Sequence, residues 1–310
     1  QFNATSSTYV SVADNSLLEF GDGSSNNPFT ISAWVKRDAG MPNSNMYVVG
    51  KSASSSNVDF SYNLQVGNER IVLQLRDDSA FAYSRAYALG LTINDSRWHL
   101  VTATFDGSES NEHLGMKLYL DGISETIDSS ETEAGFVAME DLAVPLLIGS
   151  NREGTDGSPT QPSFNGSIDE VAVWSRVLTA GEIANLYNSS YYNGGRYIDT
   201  GDNFSSSGTS MGSSLSGLWH LDAGTGTSAI DSSGNSLTGT STAGNPIWIT
   251  GNITRKFYVQ DNGLYNNFGV VDLESATQPT YNSTGGYDGS GAYTFDGLND
   301  YIESTISATT

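Results

Sequence analysis

The feature that most restricts the fold is an alternation of period two that recurs along most of the chain. In FTISAWVKR, from Phe29, the apolar Ile31, Ala33 and Val35 alternate with Thr30, Ser32, Trp34 and Lys36. A strand with two unlike faces reads this way, because successive side chains project to opposite sides of the pleated backbone. The pattern returns in YVVGK (Tyr47 to Lys51), FSYNLQVG (Phe60 to Gly67), RIVLQLRD (Arg70 to Asp77), WHLVTATFDG (Trp98 to Gly107) and MKLYLDG (Met116 to Gly122). PLLIGS (Pro145 to Ser150) and GSIDEVAVWSR (Gly166 to Arg176) extend the series. Each is of strand length and most end in turn residues, so an all-β sandwich or barrel of short strands is expected.

One segment breaks the alternation. In LTAGEIANLYNSS (Leu178 to Ser190), Thr179 precedes Glu182 at the spacing of a capping box, and Ile183, Leu186 and Tyr187 share one helical face. A single short helix packed over an edge or end of the sandwich is expected. Residues 191–216 are rich in Gly and Ser and read as a linker or long loop. A boundary near residue 200 follows, with 1–199 as the main domain and 200–310 as a linker plus a second β-rich module or a strand-exchange region. Within that last third, SGLWHLD (Ser216 to Asp222), NPIWITGNIT (Asn245 to Thr254), RKFYVQD (Arg255 to Asp261) and AYTFDGLNDYIES (Ala292 to Ser304) again read as strands.

Charge narrows the partners. Thirteen Lys and Arg stand against 35 Asp and Glu, a net charge of -22, so the molecule repels phosphate backbones and nucleic acid is not an expected partner. Cysteine is absent, which removes disulfides, zinc-thiolate sites and thiol nucleophiles. No apolar run reaches the roughly 20 residues of a membrane span. No charged-then-apolar leader opens the chain, which is expected of a secreted chain whose signal segment has been removed or of a piece of a longer polypeptide. A secreted or cell-surface location suits this composition. Glycosylation sequons occur at Asn3, Asn94, Asn165, Asn188, Asn203, Asn252 and Asn282. Chance gives roughly six in a chain so rich in Asn, Ser and Thr, so their number decides nothing.

The ordered set ISAWVK, RWHLVTATFDG, KLYLDG, LLIGSN and FNGSIDEVAVWSRVLTAGEIANLY, over about Phe29 to Tyr187, resembles the laminin-G-like jelly-roll family of concanavalin-A-like lectins and glucanases. The resemblance implies an antiparallel jelly-roll β-sandwich with one short helix, joined here to a smaller β-rich C-terminal region. It also implies an opening edge strand of the type GLWHLDAGTGT, a loop like DSSGNSLTG and a strand like YTFDGLNDYIES. Those elements stand at Gly217 to Gly239 and Tyr293 to Ser304, after the main body, and FNATSSTYVSV (Phe2 to Val12) can be laid over FDGLNDYIES. The order is rotated. One period of a tandem array, or strands that complete a neighbouring subunit head to tail, would each produce it.

Catalytic chemistry is not indicated. Glucanases of this fold carry paired carboxylates on one strand, and no E-x-D-x-x-E run occurs. Adjacent Asp169 and Glu170 are expected on opposite faces. His99, His113 and His220 have no metal-ligand spacing, and no nucleophile elbow or phosphate loop appears. The resemblance implies a structural Ca²⁺ near Asp169, with Asp231 and Asn235 of the DSSGN loop as further oxygen ligands. An Asx turn at Asp231 and Asn235 is the competing reading. Asp296, Asn299 and Asp300 read as an ordinary turn. Two non-enzymatic functions remain open: an adhesive or structural surface protein, which strand exchange would polymerise into filaments, and a carbohydrate-binding module of a larger secreted protein. In the second, Phe81, Tyr83 and Tyr87 of SAFAYSRAYALG either present rings to a sugar or pack.

Overall fold

The computed structural model describes residues 2, 8–38, 45–52, 60–67, 69–108, 112–151, 164–192, 212–221 and 223–241, with short stretches at 256–260, 268–272, 280–282, 292–294 and 303–305. The chain divides into two compact units, one of Gln1–Tyr187 with Asp199–Thr250, the other of Asn188–Ile198 with Gly251–Thr310.

The first unit holds β1 (Val10–Val12), β2 (Phe29–Arg37), β3 (Met46–Ser52), β4 (Phe60–Val66), β5 (Arg70–Asp77), β6 (Ala82–Leu89), β7 (His99–Phe105), β8 (Met116–Leu120), β9 (Ile123–Ser124), β10 (Ser129–Thr132), β11 (Leu146–Ile148) and β12 (Gly166–Trp174). The helix α1 (Ala180–Tyr192) follows, then β13 (Leu215–Trp219), β14 (Ser228–Ala229) and β15 (Gly239–Ser241). A nine-stranded sheet runs β10-β6-β5-β4-β3-β11-β1-β15-β14 and a six-stranded sheet runs β13-β12-β2-β7-β8-β9. Every strand pair is antiparallel, the pattern of a jelly-roll sandwich. β8 and β9 are joined by Asp121 and Gly122 with φ of 51° and 80°, the two positive values that a tight hairpin turn requires.

Alternation sorts the side chains as expected. Ile31, Ala33 and Val35 of β2 meet Tyr62, Leu64 and Val66 of β4 and Ile71, Leu73 and Leu75 of β5 in one core between the sheets. Trp34 and Trp174, on the other side of the small sheet, are buried with Leu178, Ile183 and Leu186, and Tyr187 stacks on Trp34 at 5.6 Å. Trp98 is half-buried. The helix therefore covers the outer face of the small sheet. It begins on the expected capping box: the Glu182 N–H donates to Thr179 Oγ1 at 3.2 Å and the Thr179 N–H to Glu182 Oε2 at 2.8 Å. Arg176 grips the same carboxylate at 2.7 and 3.0 Å. Burial alone would raise the Glu182 carboxyl, but these bonds outweigh it and hold it below its ordinary range.

The boundary expected at residue 200 does not separate the strands that follow it. β13 pairs with β12, with Val171 opposite Trp219, and β15 pairs with β1, with Val10 opposite Ser241. Trp219, Ala229 and Leu237 enter the same core as β2 and β4, and the Trp219 indole N–H donates to the Leu237 carbonyl at 2.8 Å. The physical reason is edge closure: an unpaired β12 and β1 would present bare N–H and C=O groups and open apolar surface, and this segment satisfies both. These strands thus complete the sandwich from within the chain.

At one end of the core the fully buried Lys51 ammonium lies 2.6 Å from Asp14 Oδ1, from Glu19 Oε1 and from the Val144 carbonyl. Desolvation dominates at Glu19 and pushes its carboxyl up to about 7. In the second unit β16 (Lys256–Gln260), β17 (Phe268–Asp272) and β20 (Glu303–Thr305) form one antiparallel sheet, while β18 (Thr280–Asn282) and β19 (Ala292–Thr294) pair separately. The expected strand NPIWITGNIT and the turn residues Asp296, Asn299 and Asp300 lie outside the described residues.

Candidate functional site

The outer face of the large sheet is the surface with organised chemistry. Because the core takes Tyr62, Leu64 and Val66 of β4, the intervening Ser61, Asn63 and Gln65 point the other way, and the same rule sends Arg70, Val72, Gln74 and Arg76 of β5 outward. On β6 the core takes Ala86 and Ala88, which leaves Tyr83, Arg85 and Tyr87 on the outer face. Register then lines these residues into rows across the strands. One row runs Gly50, Asn63, Gln74, Arg85 and Glu131. The next runs Tyr47, Gln65, Val72, Tyr87 and Ser129, and Arg76 faces Tyr83 in a third. Neighbours within a row stand about 4.8 Å apart and rows about 6.8 Å apart, spacings on the scale of a sugar ring.

The two halves of this face differ. On the β6 side, Arg85 lies over the Tyr83 ring at 4.1 Å and the Tyr87 ring at 5.4 Å, donates to the Tyr83 hydroxyl at 2.8 Å and pairs with Glu131. The arginine is fixed between two half-exposed rings. Burial pushes both phenols above their ordinary range, so they stay neutral donors. Arg76 sits between Phe60 at 5.5 Å and Phe81 at 5.9 Å, with Asp78 Oδ1 3.4 Å from its Nε. Three of the thirteen basic residues in a chain of charge -22 thus share one face of two adjacent strands.

The β4 side is a covered ladder of amides. Gln65 Nε2 donates to Asn63 Oδ1 at 2.6 Å and to Gln74 Oε1 at 3.3 Å. This leaves Asn63 Nδ2 without a protein partner, although Asn63 is 1% exposed; Ser61 Oγ and Asn151 Oδ1 are likewise buried and unmatched. Each such atom costs about 1–3 kcal/mol unless a water or ligand meets it. Asn151 reaches over Gly50, where an added methyl group would overlap its Oδ1.

Other expected site residues are placed differently. Asp231 accepts from the Leu218 and Ser233 N–H groups at 3.0 and 2.9 Å through Oδ1, and from the Ser233 hydroxyl and the Leu237 N–H at 2.9 Å through Oδ2. Asn235 donates to the Leu215 and Ser216 carbonyls at 2.9 Å. Both thereby pin the loop onto β13, the geometry of the Asx-turn reading. Asp169 accepts from the Glu170 N–H at 3.1 Å, and among the described residues no three Asp, Glu or His gather as an ion site. Glu170 sits at a bulge with φ of 48° and takes His220 Nδ1 on both oxygens. His99 is bracketed by Asp121 at 2.9 Å and Asp95 at 3.0 Å, and His113 meets the Thr132 hydroxyl at 2.8 Å. Of the sequons, Asn94 is exposed, Asn165 directly precedes β12, whose Ser167 is buried, Asn188 lies in α1 and Asn282 in β18. Asn3, Asn203 and Asn252 lie outside the described residues.

Two antiparallel sheets around one core, with a ring-and-amide face on the larger, define a lectin-like β-sandwich. A laminin-G family model described as "Concanavalin A-like lectin/glucanases superfamily" matches residues 4–184, and the chain belongs to that family. Among solved structures, the chain is similar to the CBM40 of the Ruminococcus gnavus IT-sialidase bound to α2,3-sialyllactose, with 19% identity over 53% of this chain and 84% of that one and a TM-score of 0.39. It is similar to domains LG4-5 of the mouse laminin α1 chain, with 14% identity over 58% and 42% and a TM-score of 0.40. It is also similar to the binding domain of paraclostridial mosquitocidal protein 1, with 12% identity over 91% and 67% and a TM-score of 0.43. No curated protein matches the sequence. No helix among the described residues is long and apolar enough to cross a membrane.

Proposed function

We propose that this chain is a non-enzymatic carbohydrate-binding module, secreted or displayed at a cell surface, whose ligand lies across the outer face of β3 to β6. The observation that carries this reading is the part-exposed ladder Tyr83–Arg85–Tyr87 beside the amide of Gln74. Rings stack on the apolar faces of sugars while amides and a fixed guanidinium meet hydroxyl groups, the mixture that a glycan site needs. Binding without turnover is favoured because the carboxylates beside these rows are already engaged, Glu131 by Arg85, Asp78 by Arg76 and Glu133 by the Tyr83 N–H, whereas glycoside hydrolysis uses two that are free to act.

Neither head-to-tail self-association nor calcium at Asp169, Asp231 and Asn235 enters this reading. Residues 215–241 pair with β12 and β1 of their own sandwich, and the oxygens of Asp231 are engaged by protein donors. A glycan array followed by titration calorimetry tests the proposal. The chain should bind at least one glycan class, and Tyr83→Ala and Tyr87→Ala should each weaken that binding about tenfold, or ~1.4 kcal/mol, with the fold retained by circular dichroism. Failure of the unaltered chain to bind any glycan, or full affinity in the double variant, overturns it.

A further inference from the structure

The aromatic line along β6 does not end at Tyr83, and what lies beyond it bears on the kind of glycan bound; the inference rests on the glycan-binding reading above. Phe81, the residue just before β6, is 66% exposed. Its ring lies 5.9 Å from the Arg76 guanidinium, and Arg76 faces Tyr83 across the two strands, so Phe81 shares the outer face with Tyr83, Arg85 and Tyr87. Phe81 also has φ of 55°, in the left-handed region, where a bulky residue is strained and glycine is not. The turn enforces this conformation. Asp77 Oδ1 accepts from the Ala80 N–H at 2.9 Å and the Ser79 hydroxyl at 3.0 Å, and Asp77 Oδ2 accepts from the Val137 N–H at 2.8 Å. The Ser79 N–H donates to Glu140 Oε1 at 2.9 Å. A large ring held out in water, at a strained position on a turn pinned to a second segment, points to a contact surface.

We propose that the ligand is an uncharged, linear oligosaccharide of three or more sugars lying lengthwise along β6, with Phe81 as the stacking platform at one end. The length follows from the strand. Phe81 and Tyr87 are six positions apart, about 20 Å of extended chain, which spans several linked sugar rings rather than one. Along that line the exposed or half-exposed rings of Phe81, Tyr83 and Tyr87 offer flat apolar faces, while Arg85 and Gln74 opposite it meet hydroxyl groups. The lack of charge follows from the pairing of the cations. Arg85 is held by Glu131 and Arg76 by Asp78. Asp128 and Glu133 stand on the β10 flank, accepting from the Leu89 and Tyr83 N–H groups at 2.7 and 3.2 Å, and Arg70 lies opposite Leu89 at the far end. A carboxylated or sulfated sugar would have to displace one of these carboxylates from its arginine, against the field of a molecule of charge -22.

The test is an array of the full chain against neutral linear glycans of one to six sugars (cello-, malto-, laminari-, xylo- and manno-oligosaccharides), oligogalacturonates of the same lengths and branched glycans with acidic ends. Calorimetry on the series that binds then gives affinity against length. A neutral linear series should bind, gaining at least about tenfold from one sugar to the full span and then levelling off. Phe81→Ala should weaken the long chains about three- to tenfold and leave the shortest ligands unchanged, while Phe81→Trp should retain the gain. Phe81→Gly should lose the same affinity yet raise the urea midpoint, because glycine relieves the strain, which separates lost contact from lost folding. Full affinity for a single sugar, a preference for the acidic or branched glycans, or a length dependence that survives Phe81→Ala overturns the linear-chain assignment and leaves the glycan reading standing. No glycan bound on the array overturns both.

Discussion

Replacing Trp219 by Ala tests whether the strands after residue 200 belong to the first sandwich. The side chain is fully buried, its indole lies against Gly217, and its N–H donates to the Leu237 carbonyl at 2.8 Å. A buried Trp removes about 150–250 Å² from water, which at roughly 25 cal/mol per Å² is about 4–6 kcal/mol as an upper bound. Core Trp→Ala changes cost about 3–5 kcal/mol, and stranding the Leu237 carbonyl adds about 1. A loss near 4 kcal/mol is therefore expected, a large share of the about 5–15 kcal/mol that holds a domain folded. In urea, with a slope near 2–3 kcal/mol per molar, the midpoint should fall by about 1.3–2 M. Far-UV circular dichroism is the suitable readout, since Trp fluorescence is altered by the substitution itself. Trp219→Phe keeps most of the bulk and should cost about half as much. A midpoint that moves by less than about 0.3 M in Trp219→Ala would refute the placement of β13 in this core.

Stability should also depend on pH in two opposed ways. Burial lowers His99, but the hydrogen bonds to Asp121 and Asp95 outweigh it and raise its pKa in the folded state. A raised histidine stabilises fully below its unfolded value near 6.5 and loses that contribution as pH rises through the folded value. Glu19, raised from 4.5 to about 7, works the same way between those values. The urea midpoint should therefore decline from about pH 5 towards pH 8 and decline less in His99→Gln; a superimposable curve for that variant refutes the assignment. Glu182 has the opposite sign, because a depressed carboxyl stabilises above its unfolded value and loses this as pH falls through the folded one. Glu182→Ala should cost about 1–2 kcal/mol at neutral pH through the lost cap and the freed Arg176, with the difference from the native chain shrinking in acid. A constant difference down to pH 3 would count against it.

Strands with large apolar residues on one face and polar ones on the other, such as Phe29–Arg37 and Arg70–Asp77, were legible from the sequence at the residues where they occur. The capping box at Thr179 and Glu182 was equally legible, since both partners lie within one turn. β6 escaped notice as a strand because its pattern is inverted. Small Ala82, Ala86 and Ala88 face inward while Tyr83, Arg85 and Tyr87 face out, so hydrophobic bulk does not mark the core side. The site was legible only in part for a related reason. Tyr83 and Tyr87 stand out as aromatics, whereas Asn63 and Gln65 read as ordinary solvent-facing residues, and Asn151 reaches them from a loop 88 positions further along the chain. The pairing of β13 with β12 was hidden too: a Gly- and Ser-rich stretch looks like a domain boundary whether or not the chain returns to the same sheet.

That return has a consequence in time. Val10 pairs with Ser241, so the first strand of the sandwich waits for one of the last parts of the unit to be synthesised. At about 5–20 residues per second, the stretch from the end of β12 to β15 takes roughly 3–13 s to emerge. Until β13 and then β15 emerge, β12 and β1 in turn stand as open edges, available to any other extended chain. A sandwich with so many long-range pairings also closes slowly once it is whole. The interval before closure, more than the finished sheet, is where neighbouring copies of this chain have the opportunity to pair with one another.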